Sequence, residues 1–248
     1  MVFRYVLPGI VLCLFASAGA AQPAVIERSA TLAELMPADQ VHALQAVLPQ
    51  DQRVAWTVRV PSTPPRSVLV FVSPNAMADP PPGWDAVLDR YAMLWIAARN
   101  FGNQLPSNQR VLAALMGLGL TQRDYLPKHA RRYIGGMSGG GRVASIAITQ
   151  FPQLFDGALY IVGADDFGKA EPARLTAIAA NRYVFLTGAR DFNRREMRAV
   201  HRRYGKAGVQ QTLLLDLPDF GHEYPGAEDF ERALRFLDGS RSGAEDGQ

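Results

Sequence analysis

A chain of 248 residues, 48% of them apolar, can bury a full hydrophobic core, and its length suits one larger α/β unit. The 26 Lys and Arg residues nearly balance the 23 Asp and Glu. The basic residues are scattered along the chain and not gathered in a stripe, a composition that points away from nucleic acid.

The first twenty residues differ from the rest. "MVFRY" carries one cation, "VLPGIVLCLFA" is apolar, and Ala18 and Ala20 are the small residues that a signal peptidase needs. Residues 1–20 therefore read as a signal peptide with a cut after Ala20 or Ala21, too short for a membrane span. Its removal takes away Cys13, the only cysteine, so the expected product is a periplasmic or secreted protein with no stable membrane span and no disulfide. Residues 21–52 read as an N-terminal helical extension, with capping-box spacing from Thr31 to Glu34 and helical spacing of Val41, Leu44 and Leu48.

Residues 53–238 alternate. Apolar runs of strand length occupy 54–60, 67–73, 92–98, 132–137, 157–163, 183–188 and 212–217. Helical patterns fill 84–90, 107–118, 140–150, 171–180, 193–207 and 226–238. Only "PSTPPR" joins the first two runs, which suits an antiparallel pair, while the others suit parallel crossovers. The expected fold class is α/β: a mostly parallel, doubly wound sheet with helices on both faces. The segment from Gly163 to Arg182 has room for a loop and one short helix, so no large lid domain is expected. Residues 239–248 have no apolar side chain larger than Ala244 and read as a disordered tail.

The stretch "RRYIGGMSGGGRVAS", from Arg131 to Ser145, crowds five glycines around Ser138 at a strand-to-helix turn. Gly136-Met137-Ser138-Gly139-Gly140 fits G-x-S-x-G, a nucleophile elbow in which a strained serine presents its Oγ and its neighbours must be small. The N–H of Gly139 then becomes the first oxyanion donor. The bare pattern is only suggestive; its position between strand and helix carries the reading. In such a site the chain order is Ser, acid, His. Two histidines follow Ser138. His201 lies in a cationic helix, where a solvated face explains it, and His222 lies in the loop "LPDFGHEYPG" after the last apolar run, where a general base belongs. For the acid, Asp191 follows the penultimate strand and Asp165 and Asp166 follow the strand before it; both placements can orient the imidazole, and Asp191 is preferred.

These segments, with "VFVSPN", "FPQLFDGALYIVG", "LTGARDFN" and "GHEYPGAEDFERALRFLD", resemble the α/β-hydrolase superfamily over about residues 53–238. Within it they are similar to secreted esterases of the polyhydroxybutyrate-depolymerase-like branch. The resemblance implies that Ser138, Asp191 and His222 are nucleophile, acid and base, acting on a small-molecule or polymeric ester with no cofactor and no metal. One departure stands out. Many such esterases place H-G-G-G or H-G after the third strand, and this chain has Ser73-Pro74-Asn75-Ala76. Pro74 has no N–H, so the second donor falls to the backbone of Asn75 or Ala76, or to the Asn75 side chain. Trp84 is a candidate for the mouth of the site or for the core. The expected function is an exported serine hydrolase working through an acyl-enzyme. The alternatives are a serine peptidase or thioesterase with the same triad, or a non-catalytic binding protein on the same scaffold.

Overall fold

A computed structural model describes residues 22–239. The signal-peptide reading and all of the tail after Gly239 lie outside these residues. The strands are β1 (Ala24–Ala30), β2 (Val54–Val60), β3 (Ser67–Val72), β4 (Met93–Ala98), β5 (Arg131–Met137), β6 (Gly157–Ile161), β7 (Arg182–Gly188) and β8 (Thr212–Leu217). The α-helices are α1 (Leu32–Leu35), α2 (Ala38–Leu44), α3 (Trp84–Arg90), α4 (Ser107–Asp124), α5 (Gly139–Gln150), α6 (Pro172–Ala179), α7 (Arg194–Lys206) and α8 (Ala227–Asp238). Every apolar run and helical pattern in 53–238 forms the expected element, with ends shifted by a few residues.

All eight strands join one sheet in the order β1-β2-β4-β3-β5-β6-β7-β8. From β4 to β8 every pairing is parallel, while β2 is antiparallel to both β1 and β4. The strand-to-strand alternation of side chains splits the core into two layers. Val68, Val70 and Val72 of β3 face α4 and α5, whereas Leu69 and Phe71 face α3 and α8. Strands buried on both faces by helices are what a doubly wound α/β sheet requires.

Two expectations need correction. The short link after β2 does not join an antiparallel pair, because β4 lies between β2 and β3. Six residues reach about 20 Å, ample for a gap of two strand spacings of about 10 Å. The 21–52 segment is not purely helical: Ala24–Ala30 forms β1, the sheet's edge strand, fully registered on β2 from Ala24↔Val60 to Ala30↔Val54. Val25 and Ile26 remain exposed there, so the strand is held by backbone pairing more than by burial. The capping box of α1 forms as the Thr31–Glu34 spacing requires, with the Thr31 N–H donating to Glu34 Oε2 at 2.8 Å. Among the described residues no helix is long and apolar enough to cross a membrane.

Candidate active site

The sheet's carboxyl ends bring Ser138, Asp191 and His222 together from three separate loops. Ser138 follows β5 directly and caps α5 with φ 54° and ψ −122°, a conformation that costs a non-glycine residue on the order of 1–3 kcal/mol. Its surroundings leave it no alternative. A Cβ on Gly136 would overlap the Gly140 carbonyl, one on Gly140 would overlap the Val72 carbonyl, and one on Gly141 would overlap the Gly163 carbonyl. Strand β3, strand β5 and helix α5 meet backbone to backbone, and only glycine fits the contact. The Ser138 N–H is fixed by the Ile161 carbonyl at 2.8 Å.

His222 Nε2 lies 2.9 Å from Ser138 Oγ, and its Nδ1 lies 2.9 Å from Asp191 Oδ1. The Asp191 side chain is fully buried and, besides the imidazole, accepts from Thr187 Oγ1 at 2.6 Å and from the Asn193 N–H at 3.0 Å. With the carboxylate as acceptor, Nδ1 carries the proton and Nε2 is free to accept the Ser138 hydroxyl proton. The Phe192 ring stacks on the imidazole at 4.0 Å and 22°, although 77% of Phe192 is exposed.

The rejected acids are engaged elsewhere: Asp165 pairs with Arg142 at 2.8 Å and Asp166 with Arg203 at 2.7 Å. His201 is half-buried against the Phe185 ring, and burial holds its pKa below the ordinary histidine value, so the solvated-face reading was incomplete. Trp84 does not line the mouth. It is fully buried, stacked on Phe230 at 3.6 Å, and its Nε1 donates to the Pro225 carbonyl at 2.9 Å, which anchors the loop that carries His222.

As the first residue of α5, Gly139 has an N–H with no intrahelical acceptor. In the β3–α3 loop, Asn75 Oδ1 accepts from Ser73 Oγ at 2.8 Å and from the Met77 N–H at 2.9 Å. The Asn75 N–H turns onto Ser73 Oγ at 3.3 Å. These bonds form a tight polar turn and leave the Ala76 N–H and Asn75 Nδ2 as the available donors on that loop.

Two residues at the site went unnoticed in the sequence. The Asn103 amide lies directly against Gly139, where a Cβ would strike it. Arg110 of α4 is 4% exposed, and its guanidinium donates to the carbonyls of Phe101 (3.1 Å), Ser73 (3.0 Å) and Gly139 (3.4 Å). It has no carboxylate partner among the described residues, and burial lowers its pKa. One buried cation thus ties the start of α5 to the turn at Ser73-Pro74-Asn75-Ala76. Neither residue belongs to a motif; an arginine inside the apolar pattern of α4 was the only signal.

The chain matches no protein-family model and no curated protein. Solved structures match along most of it. A ferulic acid esterase is 17% identical, with a TM-score of 0.61 over 86% of this chain and 95% of that one. An S-formylglutathione hydrolase from Staphylococcus aureus is 13% identical, with a TM-score of 0.61 over 88% and 97%. A dienelactone hydrolase from Anabaena variabilis is 14% identical, with a TM-score of 0.61 over 87% and 97%. The eight-stranded sheet and these likenesses define the α/β-hydrolase fold.

Proposed function

We propose that this protein is an exported carboxylic-ester hydrolase in which Ser138 is the nucleophile, His222 the general base and Asp191 the orienting acid. The observation that carries the reading is the unbroken chain from Ser138 Oγ through the His222 ring to a buried Asp191, each link 2.9 Å. His222 Nε2 takes the Oγ proton as Oγ bonds to the ester carbonyl carbon. The oxyanion is met by the Gly139 N–H and a donor from the Asn75–Ala76 turn, while Asp191 stabilises the imidazolium. That imidazolium then protonates the departing alcohol, leaving an acyl-enzyme. Water, deprotonated by His222, attacks the acyl carbon, and the acid is released as Oγ regains its proton. The fold neighbours named as esterases and hydrolases support the class.

The β6–β7 connection holds only α6, which supports an open cleft in keeping with the depolymerase-like branch. Without an apolar cover there is little surface to bury a long acyl chain, at about 0.8 kcal/mol per CH₂, so short acyl groups are favoured. A fluorophosphonate probe tests the proposal: it should label the wild-type protein and not Ser138→Ala, which should also lose hydrolysis of p-nitrophenyl butyrate while melting as before. An unlabelled wild-type protein would return Ser138 to a packing role. Export rests on the first twenty residues and is tested by N-terminal sequencing of the secreted protein, which should begin at Ala21 or Gln22.

A further inference from the structure

Five of the arginines lie on α7, and four of them share one groove. Asp191, Phe192, Arg194, Arg195, Arg198 and Arg202 line one groove of about 430 Å³. One of its walls is Phe192, the ring stacked on His222, so the groove borders the base. From Arg194 to Arg202 the helix advances about 12 Å, which makes the groove a track and not a point.

Charge compensation separates this face from the rest of the helix. On the opposite side Glu196 pairs with Arg142 at 2.6 Å and Arg203 with Asp166 at 2.7 Å. Of the groove's four arginines, Arg194 (2.9 Å) and Arg198 (3.7 Å) share one carboxylate, Asp216, while Arg195 and Arg202 have no carboxylate partner among the described residues; Asp191, which also lines the groove, is committed to His222, Thr187 and the Asn193 N–H. The N-terminal end of α7 adds its own partial positive charge. Guanidinium groups pair carboxylates with two parallel hydrogen bonds and are more weakly hydrated than ammonium, which suits reversible binding of a carboxylate-bearing chain.

We infer that this groove binds an anionic portion of the substrate: the ester cleaved at Ser138 is carried on a molecule bearing repeated carboxylates, held along α7. The inference rests on the hydrolase reading for the reaction, and on the groove alone for the charge. Its concave, arginine-lined shape favours an extended polyanion over a lipid surface, which would call for a broad apolar face around Phe192.

The test uses the full chain with three probes. Ser138→Ala is titrated with polygalacturonate at low and at 0.5 M salt, then with phosphatidylglycerol vesicles. The titration is repeated with Arg195→Gln, Arg198→Gln and Arg202→Gln combined, and with Arg66→Gln, Arg174→Gln and Arg235→Gln combined as a control of equal charge change outside the groove. The groove variant should lose at least tenfold in polygalacturonate affinity and the control less than twofold. On the Ser138 background, the kcat/KM ratio of mono-p-nitrophenyl glutarate to p-nitrophenyl butyrate should fall at least fivefold in the groove variant only; the glutarate half-ester distinguishes a single carboxylate from the polymer. Equal losses in both triple variants, absence of polygalacturonate binding, or binding to vesicles alone would each overturn the inference. A wild-type protein that hydrolyses neither ester removes the hydrolase reading, while the titrations still decide the groove.

Discussion

The two halves of the candidate site are built from different materials. On the side of Ser138, the proposed nucleophile, β3, β5 and α5 meet through bare backbone, and the geometry of Ser138 is fixed by side chains that are missing at Gly136, Gly140 and Gly141. On the side of His222, the proposed base, the loops after β7 and β8 are held largely through side chains: the Thr187 hydroxyl and the Asn193 N–H donate to the Asp191 carboxylate, the Trp84 indole donates to the Pro225 carbonyl, and the Phe192 ring stacks on His222. The first arrangement tolerates almost no added atom. The second shares that limit at one point, Gly188, where a Cβ would overlap the Phe220 and Leu217 carbonyls, and otherwise depends on its polar contacts.

The largest expected effect is on the base side. Asp191→Asn should lower kcat by about 10⁴-fold, because the imidazole loses the acceptor that sets its tautomer, while Asp166→Asn should stay within about twofold. Steady-state kinetics on p-nitrophenyl butyrate decide it; the reverse result would place the acid after β6 and not after β7. Next comes a paired glycine test. Gly140→Ala drives a methyl group into the Val72 carbonyl and should cost about 3 kcal/mol in urea unfolding, or prevent folding. Gly221→Ala, whose added Cβ would have only Glu223 Oε1 nearby, at 3.5 Å, should cost less than about 1 kcal/mol. Equal costs would erase the contrast between the halves.

Arg110 is the exception, a side chain on the backbone-built half. Arg110→Met leaves three carbonyls without their donor and should cost about 2 kcal/mol of stability. It should also lower kcat about tenfold with KM nearly unchanged, because the oxyanion donors lose their fixed spacing. The smallest effect belongs to Arg142, which joins α5 to α7 by pairing with Asp165 and Glu196. Because this partly exposed pair is screened by solvent, Arg142→Met should cost only about 0.5 kcal/mol at pH 7. Hydrogen bonding to Arg142 holds the Glu196 carboxyl below the ordinary glutamate range. Its stabilisation is therefore complete above that range and lost as pH falls through the lowered value. The difference between the two proteins in thermal melts should fade below about pH 4.

The elbow was legible because its sequence pattern is the steric requirement itself: glycines spaced around a serine between an apolar run and a helix describe the contact directly. The histidine was legible from chain order and its loop. The acid stayed open between Asp191 and Asp165 or Asp166, since each follows a strand and only three-dimensional pairing separates them; Arg142 and Arg203, both distant in sequence, claim the alternatives. Strand β1 was hidden because an edge strand exposed on most of its length has no alternating pattern to display. Trp84 was ambiguous because its partners Phe230 and Pro225 lie at the far end of the chain. The arginine groove was invisible as such, since spacing along α7 says nothing of which positions find a carboxylate across the fold.

The position of β4 between β2 and β3 sets an order of assembly. Residues 61–66 tether β2 to β3, yet β2 has no acceptor strand in the parallel sheet until the β3-α3-β4 unit has folded and presented its outer edge. The β1–β2 ribbon must therefore wait, unpaired on one side, for residues made after it. A chain stalled before β4 would leave that edge of β2 unpaired, a template for mispairing with another strand.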